Sequence, residues 1–173
     1  MQDAAPAFEL RCERMTDVRP VHILLVEDDL VDQKAFLRAM KSQRILNPVV
    51  IAEDGIEALD ILRGRHGTKK ISSPFIVVLD LNLPRMPGLE FLKELRSDES
   101  LTRTVVLVLT TSSARKDIHR AYDEHVAGYL LKADMGQSFA DALVRLNAYW
   151  NVVVLPENPV GPGHADTLET HRD

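Results

Sequence analysis

Three acidic side chains, Glu27, Asp28 and Asp29, follow directly on the apolar run Leu24, Leu25 and Val26, with Asp32 close behind. Adjacent carboxylates repel one another and burial raises their cost, so the chain must expect a positive charge at this point. Further reactive groups stand at the ends of other apolar runs. Asp80 follows FIVVL, Thr110, Thr111 and Ser112 close TVVLVL, and Lys132 follows GYLL. Each has a plainer role. Asp28 or Asp29 could cap a helix, Asp80 could open a turn ahead of Pro84 and Gly88, and Thr110 could be an ordinary strand-end hydroxyl. Lys132 could lie along the surface, and Tyr129 could be core. It is their combination that points to a site.

Groups this far apart in sequence need elements to bring them together. Short β-branched runs recur as VHILLV (21–26), PVVIA (48–52), FIVVL (75–79), TVVLVL (104–109) and GYLL (128–131). Each is almost wholly apolar, the pattern of parallel strands buried on both faces. Helical periodicities lie between them. Residues 31–42 carry Ala35, Phe36, Leu37, Ala39 and Met40; 55–63 place Ile56, Leu59 and Leu62 at three-residue steps; 88–96 hold Leu89, Leu92 and Leu95. Ser113 is the predicted N-cap of a fourth helix with Ile118, Ala121 and Tyr122. Phe139, Ala142, Leu143, Leu146, Tyr149 and Trp150 form the apolar stripe of a fifth. Strand and helix in alternation predict an α/β fold with an open, doubly wound parallel sheet. Ligands bind such sheets beyond the carboxyl ends of the strands, which is where the acids, hydroxyls and lysine fall.

The chain has 173 residues and is 45% hydrophobic, enough for one domain with a sizeable core. Residues 1–19 read as a partly flexible arm, 20–155 as the domain and 156–173 as a flexible tail rich in turns. Asn151 to Leu155 are expected to add a short extended piece packed on the domain. Twenty-six acidic against 21 basic residues give a net charge of −5, which disfavours a sequence-independent grip on nucleic acid or an anionic membrane. No apolar run reaches the roughly 18 residues that would span a bilayer, and the start of the chain lacks the pattern of a signal peptide. A cytoplasmic location is therefore expected. The single cysteine, Cys12, cannot form an internal disulfide and reads as a spectator thiol.

Taken together, residues 21–150 resemble a receiver domain of a two-component response regulator, of the single-domain type. The resemblance rests on an acidic pair after the first strand, an aspartate after the third in LDLNLPRMPGLEF, a hydroxyl closing the fourth, and an aromatic and a lysine at the fifth. By position it implies that Asp80 is the phosphoacceptor, Glu27 and Asp28 the acidic pair, Thr110 the switch hydroxyl, Tyr129 the switch aromatic and Lys132 the family's lysine. It implies a flavodoxin-like (CheY-like) three-layer α/β/α architecture with strand order 2-1-3-4-5. A sensor histidine kinase would be the phosphodonor, and Asn82 and Ser112 would tune dephosphorylation. EDDLVDQKAFLRAMK, VLTTSSARKDI and NAYWNVVVLP are similar to the small regulators that pair with phytochrome-type histidine kinases. The expected protein is a phosphoacceptor with slow self-dephosphorylation rather than an enzyme.

On this reading Mg²⁺ is the missing positive charge. Hard divalent ions take oxygen ligands, here Asp28 and Asp80 directly, Glu27 through water and the backbone carbonyl of Asn82. Phosphoryl transfer has a loose transition state and asks mainly for in-line placement and charge neutralisation. Mg²⁺ would serve one side, Lys132 the other, with Thr110 and nearby N–H groups donating to the remaining oxygens. Movement of Thr110 would let Tyr129 turn inward and alter the face of the fourth helix, fifth strand and fifth helix. Tyr122, Tyr149 and Trp150 lie in or near that face and suit a homodimer. One position departs from the family pattern: Ala133 stands where proline with a cis bond is usual. A cis bond before alanine costs roughly 2.5–4 kcal/mol, so Lys132–Ala133 is predicted to be trans.

Competing classes fit less well. A flavodoxin-like cofactor binder needs Gly or hydroxyl residues after the first strand, where this chain has EDDLVD. An Asp-nucleophile phosphohydrolase places a second Asp two residues after its nucleophile on the first strand, whereas Leu30 stands two after Asp28. No room for a helix-turn-helix follows residue 155. A receiver acting as a docking subunit without phosphorylation stays open on sequence grounds.

Overall fold

The computed structural model describes residues 20–132 together with 144, 147, 148, 155 and 156. The predicted arm with Cys12, most of the predicted fifth helix with Tyr149 and Trp150, the Lys132–Ala133 peptide and the predicted tail lie outside the described residues. Elements alternate as β1 (His22–Val26), α1 (Leu30–Ser42), β2 (Val49–Ala52), α2 (Gly55–Leu62), β3 (Phe75–Leu79), α3 (Gly88–Ser97), β4 (Val105–Thr110), α4 (Arg115–Asp123) and β5 (Gly128–Leu131). The strands pair in parallel in the order β2-β1-β3-β4-β5.

Register explains the apolar runs. In β1, Leu24 and Val26 point to one face, and Ile23 and Leu25 to the other, because side chains alternate along a strand. The first face packs with Val77 and Leu79 of β3 against Leu59 and Leu62 of α2 and Phe91, Leu92 and Leu95 of α3. The second packs with Ile76 and Val78 against Phe36 and Met40 of α1, and Leu155 joins it. The three inner strands β1, β3 and β4 are therefore almost wholly apolar, and all five residues of β3 are buried. The edge strands β2 and β5 are mostly half-buried instead. Each fully buried aliphatic or aromatic side chain contributes about 1.5–3 kcal/mol, so a charge at Ile23 or Val77 would break the sandwich.

Caps fix where the helices start. Asp29 caps α1 by accepting from the N–H groups of Val31 (2.7 Å) and Asp32 (3.1 Å), a common use of aspartate before a helix. Asp54 caps α2 in the same way, accepting from Ile56 and Glu57 at 2.9 Å each. The fourth helix starts later than predicted: its N-cap is Ala114, not Ser113. Ser112 accounts for the shift, since its hydroxyl accepts from the Ala114 N–H (3.4 Å) and donates to Asp117 in the first turn (2.6 Å). Val144, Asn147 and Ala148 are helical, in the predicted fifth helix. No described helix is long and apolar enough to cross a membrane.

Candidate functional site

The backbone ladder runs one residue past the strands and so aims the acids. The Glu27 N–H donates to the Ala52 carbonyl (2.9 Å), and the Asp80 N–H to that of Val26 (3.0 Å). The Val26–Leu79 register puts Glu27 beside Asp80 at the carboxyl ends of adjacent strands. Asp80 then turns the chain. One of its oxygens accepts from the Asn82 N–H (3.1 Å), so the turn-forming role and the site role belong to the same carboxylate. The turn folds back so tightly that a Cβ on Gly88 would stand 2.5 Å from the Asp80 carbonyl oxygen and 2.7 Å from the Leu81 Cα. Only glycine leaves room there.

Lys132, just past β5, completes the cluster. Its Nζ lies 2.6 Å from Glu27, 2.6 Å from Asp80 and 2.7 Å from Asp32. Glu27 is 2% exposed, Asp80 5% and Lys132 8%. The positive charge that the acidic run requires is supplied here by this ammonium. Burial pushes the Glu27 carboxyl up to about 7, and the charge of Asp80 adds to that; hydrogen bonding and attraction from Lys132 offset only part of it. Burial pulls Lys132 down, but its bonds to Asp32, Asp80 and Glu27 outweigh this and hold it above its ordinary value. An ammonium shared three ways stays charged without neutralising all three partners.

The other predicted residues surround this cluster. Thr110 is fully buried at the end of β4, and its hydroxyl accepts from the Ser112 N–H at 3.3 Å. The Asn82 side chain donates to the Thr111 hydroxyl (3.1 Å). The Ser112 hydroxyl is engaged with Asp117, as above, and the half-buried Tyr129 donates its phenol to the Ser112 carbonyl at 2.8 Å. Burial pushes that phenol up. Asp28 is exposed on the same loop as Glu27. Among the described residues, no three His, Cys, Asp or Glu side chains group as a metal centre; the cation between Glu27 and Asp80 is the lysine. The oxygens nevertheless suit a hard divalent ion, since two nearly buried carboxylates from adjacent strands converge on one cation.

Sequence reasoning missed three contributors. Asp32 is the third carboxylate on Lys132; its signal was its place in the first turn of a helix opening at the acidic run. Gln33, one residue on, donates to the Glu27 carbonyl (2.7 Å) and steadies it. Asp54, 1% exposed, pairs with Arg85 of the loop after Asp80. The cap signal of Asp54 was readable, but its partner 31 positions later was not.

A parallel 2-1-3-4-5 sheet with an acid pair, an aspartate, a hydroxyl and a lysine at its carboxyl rim defines a phosphoacceptor receiver. Residues 23–143 match the response regulator receiver domain family, and the chain belongs to that family. It is 33% identical over 138 residues to response regulator Rcp1 of Synechocystis sp., covering 79% of this chain and 94% of that one. The structure of the phosphorylated cyanobacterial phytochrome response regulator RcpA is similar, with a TM-score of 0.71 and 34% identity over 80% of this chain and 100% of that one. A Mn²⁺-bound form of Rcp1 superimposes with a TM-score of 0.68 and 31% identity over 79% and 99% of the two chains.

Proposed function

We propose that Asp80 accepts a phosphoryl group from the phosphohistidine of a sensor histidine kinase of the phytochrome type, and that this changes a protein-binding face. The observation that carries the proposal is the Asp80 carboxylate, nearly buried at the end of β3, with Lys132 at 2.6 Å on one oxygen and the Asn82 N–H at 3.1 Å on the other. The likeness to the cyanobacterial phytochrome response regulator RcpA supports the choice of kinase.

In the transfer, an Asp80 oxygen forms a bond to phosphorus as the P–N bond of phosphohistidine breaks; the leaving imidazole keeps the electron pair and takes a proton from solvent. Lys132 turns its N–H from the acceptor oxygen to a phosphoryl oxygen and neutralises developing charge. Thr110 gives up its long bond from Ser112 and donates its hydroxyl to a second phosphoryl oxygen. Mg²⁺, held by Glu27, Asp28, Asp80 and the Asn82 carbonyl, would supply the remaining neutralisation. Asn82 and Ser112 flank the acceptor and the switch residue and set the rate of loss to water, with Ser112 reaching α4 through Asp117. Tyr129, tied to the Ser112 carbonyl, responds to any movement of Thr110, and the output face runs over α4 and β5 with exposed Tyr122 on it. Self-association through this face is the proposed readout, in the cytoplasm and without nucleic acid.

Incubation with acetyl phosphate and Mg²⁺ followed by intact mass tests the acceptor. One phosphoryl group on the wild type and none on Asp80→Asn is expected; equal gain in both removes the assignment. Sedimentation with and without beryllofluoride tests the face, and identical monomers in both samples remove the dimer.

A further inference from the structure

The contact between Lys132 and Asp32 has no part in the transfer just described. Asp32 sits in the first turn of α1, where its own N–H is held by the Asp29 cap (3.1 Å) and where a helix N-terminus favours a negative charge. It reaches across the mouth of the site to an ammonium 100 residues away. An ammonium has three N–H donors and no more. Lys132 places them within reach of three carboxylates, Glu27, Asp80 and Asp32, at 2.6, 2.6 and 2.7 Å. Each of its donors thus faces a carboxylate, and one of the three belongs to neither the acceptor nor the proposed metal ligands. Of the three partners, Glu27 and Asp80 are almost completely buried, with side chains 3% and 5% exposed, whereas Asp32 is 34% exposed. Water can solvate Asp32 if the lysine leaves it. It cannot do the same for the other two.

We propose that Asp32 is a positioning residue that competes with the incoming phosphoryl group for the Lys132 ammonium and so restrains phosphorylation of Asp80. The inference rests on the phosphoacceptor reading above. Two consequences of one negative charge act in the same direction: it draws Nζ toward α1, and it repels an anionic donor at the mouth. Replacing it by asparagine keeps the size and an acceptor oxygen, leaves the Asp29 cap untouched and removes the charge.

The test is the initial rate of phosphorylation by acetyl phosphate at fixed Mg²⁺, followed by intact mass, in wild type, Asp32→Asn, Lys132→Ala and the double variant. Asp32→Asn should be about three- to fivefold faster than wild type, the range set by a partly exposed ion pair. Its rate should also depend less on salt. In the Lys132→Ala background the same change should bring less than half of that gain, because the coupling runs through the ammonium. A rate for Asp32→Asn equal to or below wild type, or an equal gain with and without Lys132, overturns the restraint while leaving Asp80 as acceptor. No phosphoryl gain in wild type or Asp32→Asn overturns both.

Discussion

At the carboxyl ends of β1, β3 and β5 one ammonium faces three carboxylates; at the opposite end, where β4 and β5 begin, one guanidinium faces four backbone carbonyls. Arg96 of α3 donates to the carbonyls of Thr102 (2.8 Å), Thr104 (2.9 Å), Glu124 (2.8 Å) and His125 (3.1 Å). Burial pulls its pKa down, with the Glu124 charge opposing. Both ends hold a cation, Lys132 buried and Arg96 half-buried, but they differ in what would release it. Carbonyls at a loop junction have no alternative state, so Arg96 pins the α3–β4 and α4–β5 connections permanently. The carboxylates around Lys132 have several: protonation, a divalent ion, or, on the proposed function, conversion of Asp80 to an acyl phosphate. One rim is built to stay, the other to exchange partners.

Three changes sharpen that contrast. The largest effect is expected from Gly88→Ala, whose Cβ would meet the Asp80 carbonyl and Leu81 Cα. Overpacking against backbone should lower unfolding free energy by about 3 kcal/mol in urea and abolish phosphorylation, because the strained loop carries the acceptor.

Next comes pH. The folded-state Glu27 pKa of about 7 exceeds its ordinary 4.5, so between these values the folded state binds more protons than the unfolded one. Stability from this group is fully present below about 4.5 and lost as pH rises through 7, about 3 kcal/mol in total. In EDTA, the stability of wild type relative to Glu27→Gln should therefore fall between pH 5 and 8. A gap that stays constant would show that Glu27 ionises normally.

Arg96→Met should cost about 2 kcal/mol, since carbonyls lose their donors, while acetyl phosphate modifies Asp80 within twofold of the wild-type rate. If modification slowed tenfold or more, the two ends would not be separable as described.

Much of this division was legible in the sequence. The strands announced themselves because inner parallel strands are apolar at every position, as FIVVL is. Glu27, Asp80, Thr110 and Lys132 were found because each ends an apolar run, and the sheet brings those ends to one rim. The start of α4 was misplaced by one residue because its N-cap, Ala114, has no capping side chain to announce it, while the serine just before it offers a capping hydroxyl that the helix does not use. Asp32 was noticed but given no role, since a contact spanning 100 positions leaves no local trace. Arg96 was invisible for a different reason: its partners are backbone carbonyls, which every residue possesses.

The most direct test of the central claim is to identify the modified residue. After treatment with acetyl phosphate and Mg²⁺, borohydride reduces an acyl phosphate to the alcohol, and peptide mass spectrometry then locates it. Homoserine at position 80, dependent on Lys132, is the predicted result. Homoserine at position 28 or 32, or an equal yield at 80 in Lys132→Ala, would contradict the account.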